Sequence, residues 1–197
     1  HLSCPVTTAI DRARFDQYLA NQAKAAGAQF VLNSRVKSLR IQKGCVKGID
    51  IKHANGKEEV VGSSIVFDAE GISSRILRQA GLTALKPSGL VYAVETEIDN
   101  VQNIEQDAVE VYFGKFYAPG FYGWLIPRLD GTAKLGLATN TGNPRDYLKS
   151  LMTKHPIAKK QLSRAKITKI GYHAITLGGP ISRAYADGFL AVGDCAS

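Results

Sequence analysis

Cysteine, histidine and tryptophan are scarce in this chain. Its 197 residues include three cysteines, four histidines and one tryptophan. Cys4, Cys45 and Cys195 are widely separated and form no CxxC pair, a pattern that fits a reducing, cytoplasmic compartment and favours neither a disulfide framework nor a cysteine zinc site. The histidines are isolated from one another, so they indicate neither a metal site nor a histidine-activated nucleophile. We therefore expect no metal centre.

Long hydrophobic runs are also missing. No run approaches the roughly 18 apolar residues of a membrane-spanning helix, although 45% hydrophobic residues are enough for a core. The apolar stretch of residues 189–192 predicts a short buried strand close to the last residue. A buried strand needs hydrogen-bonding partners, and the sequence opens on His1 rather than on methionine. We therefore interpret the chain as a fragment of a larger protein.

Acidic residues are absent from residues 147–186, which carry eight lysines and arginines. We call this segment the basic block, and it accounts for the formal net charge of +8. An exposed basic surface favours contact with anionic lipid headgroups, which predicts a peripheral position at the inner face of a membrane. The alternative is an ordinary solvated helix face. Nucleic acid is not an expected partner, because the block lacks the interleaved aromatic residues of a stacking surface.

Hydrophobic periodicity predicts an α+β fold, with helices and strands at both ends of an antiparallel central block. The predicted helices cover residues 12–26, 73–80, 144–153 and 157–165. The predicted strands cover residues 29–32, 35–41, 45–52, 64–68, 91–98, 108–113, 120–126, 133–139, 166–176 and 189–192. The Asn55-Gly56 pair predicts a tight hairpin turn.

Three segments share their order and spacing with a known superfamily. They are DRARFDQYLANQAKAAGA at residues 11–28, IVFDAEGISSRILRQAGL at residues 65–82 and DGFLAVGDCAS at residues 187–197. Together they resemble flavoproteins of the para-hydroxybenzoate hydroxylase type, in which a late Gly-Asp motif places a carboxylate on the ribityl chain of FAD. The resemblance implies FAD as the cofactor.

A fourth segment narrows the resemblance. Residues 118–128, APGFYGWLIPR, resemble the PxxYxWxFP signature of the geranylgeranyl reductase family, with Pro119, Tyr122, Trp124 and Pro127 in place. Members of that family saturate double bonds of geranylgeranyl chains on archaeal ether lipids or on (bacterio)chlorophyll precursors, and FixC-type dehydrogenases are close relatives. The resemblance thus implies a prenylated lipid or pigment as substrate, with NADPH or ferredoxin as the electron donor.

Family positions that match this sequence imply a set of site residues. Arg12, the main chain of Val36 and Asp194 are the implied FAD contacts, and Tyr122 and Trp124 are the implied lining of the prenyl site. No residue is identified as the catalytic proton donor. The implied domains are a partial FAD-binding domain at residues 1–82, an antiparallel substrate-binding sheet at residues 83–176 and a return to the FAD-binding domain at residues 177–197.

The chain departs from the family pattern at several positions. Glu70 replaces the usual Asp, Ile126 the usual Phe and Cys195 the usual Ala, and the GxGxxG unit is absent. Without that unit, we expect the chain alone to be inactive. The alternatives are a flavin monooxygenase or halogenase, an electron-transfer dehydrogenase, and a lipid-binding module without catalytic activity.

Overall fold

A computed structural model describes residues 9–197 of the chain, so His1 and Cys4 lie outside the described residues. The helices are α1 (Arg12–Ala25), α2 (Arg75–Gln79), α3 (Pro144–Lys154) and α4 (Ala158–Gln161). The strands are β1 (Ser34–Gln42), β2 (Cys45–His53), β3 (Glu58–Gly62), β4 (Val66–Asp68), β5 (Leu90–Asp99), β6 (Glu110–Tyr112), β7 (Gly123–Pro127), β8 (Ala133–Thr139), β9 (Lys166–Thr176), β10 (Tyr185–Ala186) and β11 (Phe189–Ala191).

The strands form three sheets, which confirms the predicted α+β class. The central sheet has five antiparallel strands in the order β6-β7-β8-β5-β9. Strands β1, β2 and β3 form an antiparallel meander, and a small sheet has the order β10-β11-β4. In the small sheet β11 runs parallel to β4. A strand near the end of the chain therefore pairs with a strand that lies more than 100 residues earlier in the sequence.

One face of the central sheet forms the larger core. Its largest fully buried side chains come from three strands and from α3, and they are Val94, Ile98, Leu125, Leu135, Leu137 and Leu151. Each such side chain stabilises the fold by about 1.5–3 kcal/mol. The short helix α4 joins this face through buried Gln161, which lies within hydrogen-bond distance of the Tyr112 hydroxyl (3.1 Å) and donates to the Glu110 carboxylate (2.6 Å).

The meander is stabilised by side-chain polar contacts as well as by the backbone hydrogen bonds between its strands. Ser34 Oγ lies 2.8 Å from His53 Nδ1, and His53 Nε2 lies 2.9 Å from a Glu59 carboxylate oxygen. This row connects β1, β2 and the start of β3. The turn between β2 and β3 contains Gly56 at φ +85°, as the Asn-Gly pair predicted.

Several predicted elements were wrong. Residues 29–32 form no strand, because no neighbouring strand within residues 9–197 receives their hydrogen bonds; Phe30, Val31 and Leu32 are 44%, 56% and 71% exposed. Strand β3 was missed because its exposed Glu58 and Glu59 carry no hydrophobic alternation. Helix α4 is only four residues long, although a nine-residue helix was predicted.

The basic block includes most of α3 (residues 147–154), all of α4 and all of β9, and its lysine side chains are exposed. Strand β9 lies at the edge of the central sheet, where Ile170 and Tyr172 are also exposed. In the part of the chain that the structure describes, no helix has the length and apolar character needed to cross a membrane.

Candidate flavin and substrate site

Two of the recognised segments meet at one sheet edge. Parallel pairing aligns Ala191 of β11 with Asp68 of β4, so both strands present their carboxyl ends to the same side. Each strand is followed closely by a glycine with positive φ, Gly71 at +68° and Gly193 at +65°. Both glycines have open space where a side chain would begin. Ligands of open α/β sheets bind outside the carboxyl ends of such strands.

Asp194 lies in the turn after β11 and is exposed. Within residues 9–197 its carboxylate makes no hydrogen bond to the protein, whereas its main-chain carbonyl accepts from Ser197 Oγ at 3.5 Å. A carboxylate in this position can accept hydrogen bonds from the hydroxyl groups of a ligand. The structure therefore leaves the predicted ribityl contact accessible.

Glu70 binds the protein itself rather than facing solvent. Its Oε1 accepts the main-chain N–H groups of Ile76 (2.5 Å) and Leu77 (3.2 Å), and its Oε2 accepts from the Ser73 hydroxyl (2.6 Å). Burial alone would raise the pKa of the Glu70 carboxyl, but these hydrogen bonds and the neighbouring Arg75 charge lower it overall. Glu70 thus fixes the first turn of α2.

Asp68 at the end of β4 and Cys195 in the turn after β11 form a buried contact. The Cys195 thiol donates to Asp68 Oδ2 at 3.2 Å, and the two residues are 1% and 5% exposed. Burial raises the pKa of the Cys195 thiol to about 12, with a further contribution from the Asp68 carboxyl. Burial also raises the pKa of Asp68.

Glu70 lies close to that pair, and one oxygen or sulfur atom from each of the three residues lies within 4.8 Å of the others. These atoms already take part in hydrogen bonds to the protein, including the main-chain N–H of Glu70 bonded to Asp68 Oδ1 at 3.1 Å. The group therefore ties the loop after β4 to the loop after β11.

A cleft of about 430 Å³ lies between the meander and β4. Val36 lines it from β1, Asp68 lines it from the end of β4, Glu70 lines it from the loop after β4, and Arg75 lines it from α2. The predicted contact at Val36 is therefore on the surface of a cavity.

Arg12 is placed differently from the other predicted cofactor residues. It begins α1, and its guanidinium forms an ion pair with Asp16 at 3.2 Å while 73% of the side chain remains exposed. It does not line the cleft. Its contact with FAD stays a prediction.

The two signature aromatic residues belong to an aromatic cluster beside and on β7. The Tyr122 ring stacks on Phe121 with centroids 4.3 Å apart and lies 6.1 Å from Trp124 and 5.8 Å from Phe113. The Trp124 indole packs with buried Val91, Ala93 and Ala138 on the face of the central sheet that is opposite the larger core.

The central sheet is connected through β9 to the loop that carries Asp194. Val91 pairs with Ile175 of β9, and the next residue, Thr176, lies within hydrogen-bond distance of Ser197 (Oγ1 to Oγ 2.8 Å). The end of β9 therefore contacts the loop after β11.

Sequence reasoning missed Asp68 and Arg75. An aspartate that ends an apolar strand within a recognised segment was a usable signal for Asp68. No sequence signal identified Arg75, because its partners lie on β1, nearly 40 residues away along the chain.

A family model described as FAD dependent oxidoreductase matches residues 2–188. Digeranylgeranylglycerophospholipid reductase 2 of Methanothermobacter thermautotrophicus is 32% identical over 193 residues, and digeranylgeranylglycerophospholipid reductase of Methanosarcina mazei is 33% identical over 195 residues. These alignments cover 95% of this chain but 48% and 46% of those proteins. The chain thus spans about half the length of the curated relatives that it matches.

Solved structures share the fold of this chain. A geranylgeranyl bacteriochlorophyll reductase-like protein from Thermoplasma acidophilum superposes with a TM-score of 0.85 at 26% identity, covering 94% of this chain and 47% of that one. A flavin-dependent brominase superposes with a TM-score of 0.79 at 20% identity, covering 96% of this chain and 50% of that one, which shows the fold alone. These findings confirm the resemblance drawn from the four sequence segments.

Proposed function

The chain belongs to the FAD dependent oxidoreductase family, and on that premise we propose that it is part of a reductase that saturates double bonds of geranylgeranyl chains on membrane lipids. The observation that carries this proposal is the contact between Thr176 and Ser197, which holds the end of β9 against the turn containing Asp194. The sheet that carries Tyr122 and Trp124 therefore packs against the turn that would hold the flavin. The similarity to digeranylgeranylglycerophospholipid reductases supports a prenyl lipid over a pigment.

The residues at the sheet edge fit an FAD molecule. Asp194 offers an accessible carboxylate for the ribityl hydroxyls, and the open backbone at Gly71 and Gly193 allows close approach of a ligand. The main chain of Val36 would contact the cofactor from the cleft wall. Arg12 would contribute a cationic group from α1.

When bound, reduced FAD would supply a hydride for one alkene carbon. The chain's contribution is to orient the substrate and to exclude water from the reacting region. Tyr122 and Trp124 offer rigid aromatic surface for a prenyl chain, beside the small side chains of Ala93 and Ala138.

The exposed basic block supports a peripheral contact with anionic lipid headgroups. Prenyl lipids reside in the bilayer, so a reductase must take them from a membrane surface. Near such a surface each lysine or arginine contributes on the order of 1 kcal/mol. Binding of the protein to phosphatidylserine vesicles that falls steeply with added salt would support this contact, and binding that ignores salt would contradict it.

The activity is tested with the full-length natural protein under anaerobic conditions. It is incubated with digeranylgeranyl glycerophospholipid, and NADPH or reduced ferredoxin is added as donor. We expect product masses that increase by whole pairs of hydrogen atoms. If instead no hydrogen is gained and oxygen or halogen enters an aromatic compound once air and halide are admitted, the protein is a monooxygenase or halogenase.

The substrate surface is tested separately by changing Trp124 to Leu. We expect KM for the prenyl lipid to rise several-fold while flavin binding is unchanged. Phe116→Leu is the matched control, because Phe116 is 73% exposed and lies outside the aromatic face. An equal effect of both substitutions would argue against a substrate contact at Trp124.

A further inference from the structure

The side chain of Arg75 spans two consecutive carbonyl groups of β1. Its Nη1 donates to the carbonyl of Lys37 at 2.6 Å, and its Nη2 donates to the carbonyl of Val36. Few side chains can make this contact, since it requires two donors in a rigid planar fork.

The contact depends on an irregularity in β1. Successive carbonyls of a regular strand point to opposite edges, so one guanidinium could not bind both. The ladder between β1 and β2 pairs Val36 with Ile51 and then Ser38 with Asp50, which leaves Lys37 as an extra residue. Such a β-bulge redirects the local backbone, and bulges are frequent next to functional sites.

Arg75 is also part of the cleft wall. It lines the cleft of about 430 Å³ together with Val36 and Glu70, and the Glu70 carboxylate is close enough for its pKa to be lowered by the Arg75 charge. The helix that carries Arg75 is fixed by Glu70 at its first turn. Arg75 therefore connects the bulge to the loop after β4.

We propose that Arg75 is a positioning residue for FAD: its guanidinium holds the bulge at Val36 in the conformation that presents the Val36 main chain to the cofactor. This inference rests on the proposed function, because it takes the cleft to hold part of the flavin nucleotide. It assigns Arg75 a role in cofactor binding beyond the packing of α2.

The structure offers a matched control on the same helix. Gln79 lies one turn after Arg75 and also bonds to the edge of β1, since its Oε1 accepts the N–H of Leu39 at 2.8 Å and its Nε2 lies 3.4 Å from the Lys37 carbonyl. Gln79 does not line the cleft. A residue that only attaches α2 to β1 should therefore behave like Gln79.

The test compares Arg75→Met with Gln79→Met in the full-length natural protein. Both substitutions keep an unbranched side chain and remove the hydrogen bonds to β1. The dissociation constant for FAD is measured by quenching of flavin fluorescence, and Tm is measured on the FAD-free protein. We expect Arg75→Met to weaken FAD binding about tenfold, which corresponds to the loss of one or two hydrogen bonds. Gln79→Met should leave the FAD dissociation constant within about twofold of wild type. Both substitutions should lower Tm.

Arg75→Lys provides a second variant in case Arg75→Met does not fold. A lysine keeps the charge but cannot span both carbonyls, so an FAD affinity between wild type and the expected Arg75→Met value supports the proposal. Equal losses of FAD affinity for Arg75→Met and Gln79→Met, or unchanged affinity in Arg75→Met and Arg75→Lys, would overturn it. Failure of the unaltered protein to bind FAD would overturn both this inference and the proposed function. Tight FAD binding without prenyl reduction would overturn the proposed function alone.

Discussion

The indole of Trp124 lies directly over the α-carbon of Gly136. The two residues are partners in the pairing of β7 with β8, and a Cβ added at position 136 would meet Cζ2 of the indole at 2.5 Å. The absence of a side chain at Gly136 therefore leaves the space that the Trp124 indole occupies. Glu95 is paired with Gly136 from the other side, and its carboxylate forms an ion pair with Lys134 at 2.6 Å.

Gly136→Ala should displace the indole and destabilise the protein. Overpacking of this kind costs about 1–3 kcal/mol. Because Trp124 is the only tryptophan in the chain, its fluorescence in the isolated chain reports the displacement, and urea unfolding gives the free energy. Gly62→Ala is the control, since the nearest atom to its added Cβ is 3.9 Å away. Unchanged emission in Gly136→Ala would contradict the contact.

Substitution of Glu70 should destabilise the protein in a pH-dependent way. The hydrogen bonds that lower the pKa of Glu70 below its usual 4.5 stabilise the folded state above that pH and are lost as pH falls through the lower folded value. We expect Glu70→Gln to reduce the free energy of unfolding by about 1 kcal/mol near neutral pH. The difference from wild type should shrink towards pH ~3. A difference that is constant with pH would show that the carboxylate charge is not involved.

His155 should make the fold sensitive to mild acid. Its Nδ1 accepts the N–H groups of Ile157 (3.3 Å) and Ala158 (3.2 Å), which requires an unprotonated nitrogen. Burial lowers the pKa of His155 below its usual 6.5, against an opposing effect of Glu110. The folded state therefore binds the proton less readily than the unfolded chain, and stability falls as pH drops below 6.5 towards the lower folded pKa.

His155→Asn tests that expectation, because its side-chain oxygen occupies nearly the position of Nδ1 and does not titrate. Thermal unfolding between pH 7.5 and pH 5, on the order of one unit either side of an ordinary histidine pKa, should show a smaller loss of Tm for this variant than for wild type. Equal losses in the two proteins would assign the acid sensitivity to other groups.

Cys195 should resist alkylation in the folded protein. Its thiol is buried and has a pKa raised to about 12, so at a pH of about 8 roughly one thiol in ten thousand is the reactive thiolate. Cys45 is half-buried and should react first with iodoacetamide. Mass spectrometry of peptides after timed quenching measures both rates. Faster modification of Cys195 than of Cys45 would contradict the contact with Asp68.

The sequence predicted most of the central sheet but not the details of its ends. The predicted strand at residues 133–139 coincides with β8. Leu135 and Leu137 pack in the larger core and Ala138 packs on the opposite face, so the strand is buried on both faces and is apolar along most of its length. Residues 29–32 were apolar enough to suggest a strand, yet a strand forms only where a neighbour accepts its hydrogen bonds. The division at residues 82 and 176 stays a prediction.

In the candidate site, too, some features follow from the local sequence and others depend on the tertiary structure. The sequence by itself determined the family, the Gly-Asp turn and the aromatic signature, because each depends on residues that are close together along the chain. Only the tertiary structure decided that Asp68 meets Cys195, that Arg75 spans the bulge in β1 and that Thr176 touches Ser197. Those contacts join residues separated by 21 to 127 positions, and they arise from the packing of whole strands and helices, which no local pattern of residues specifies.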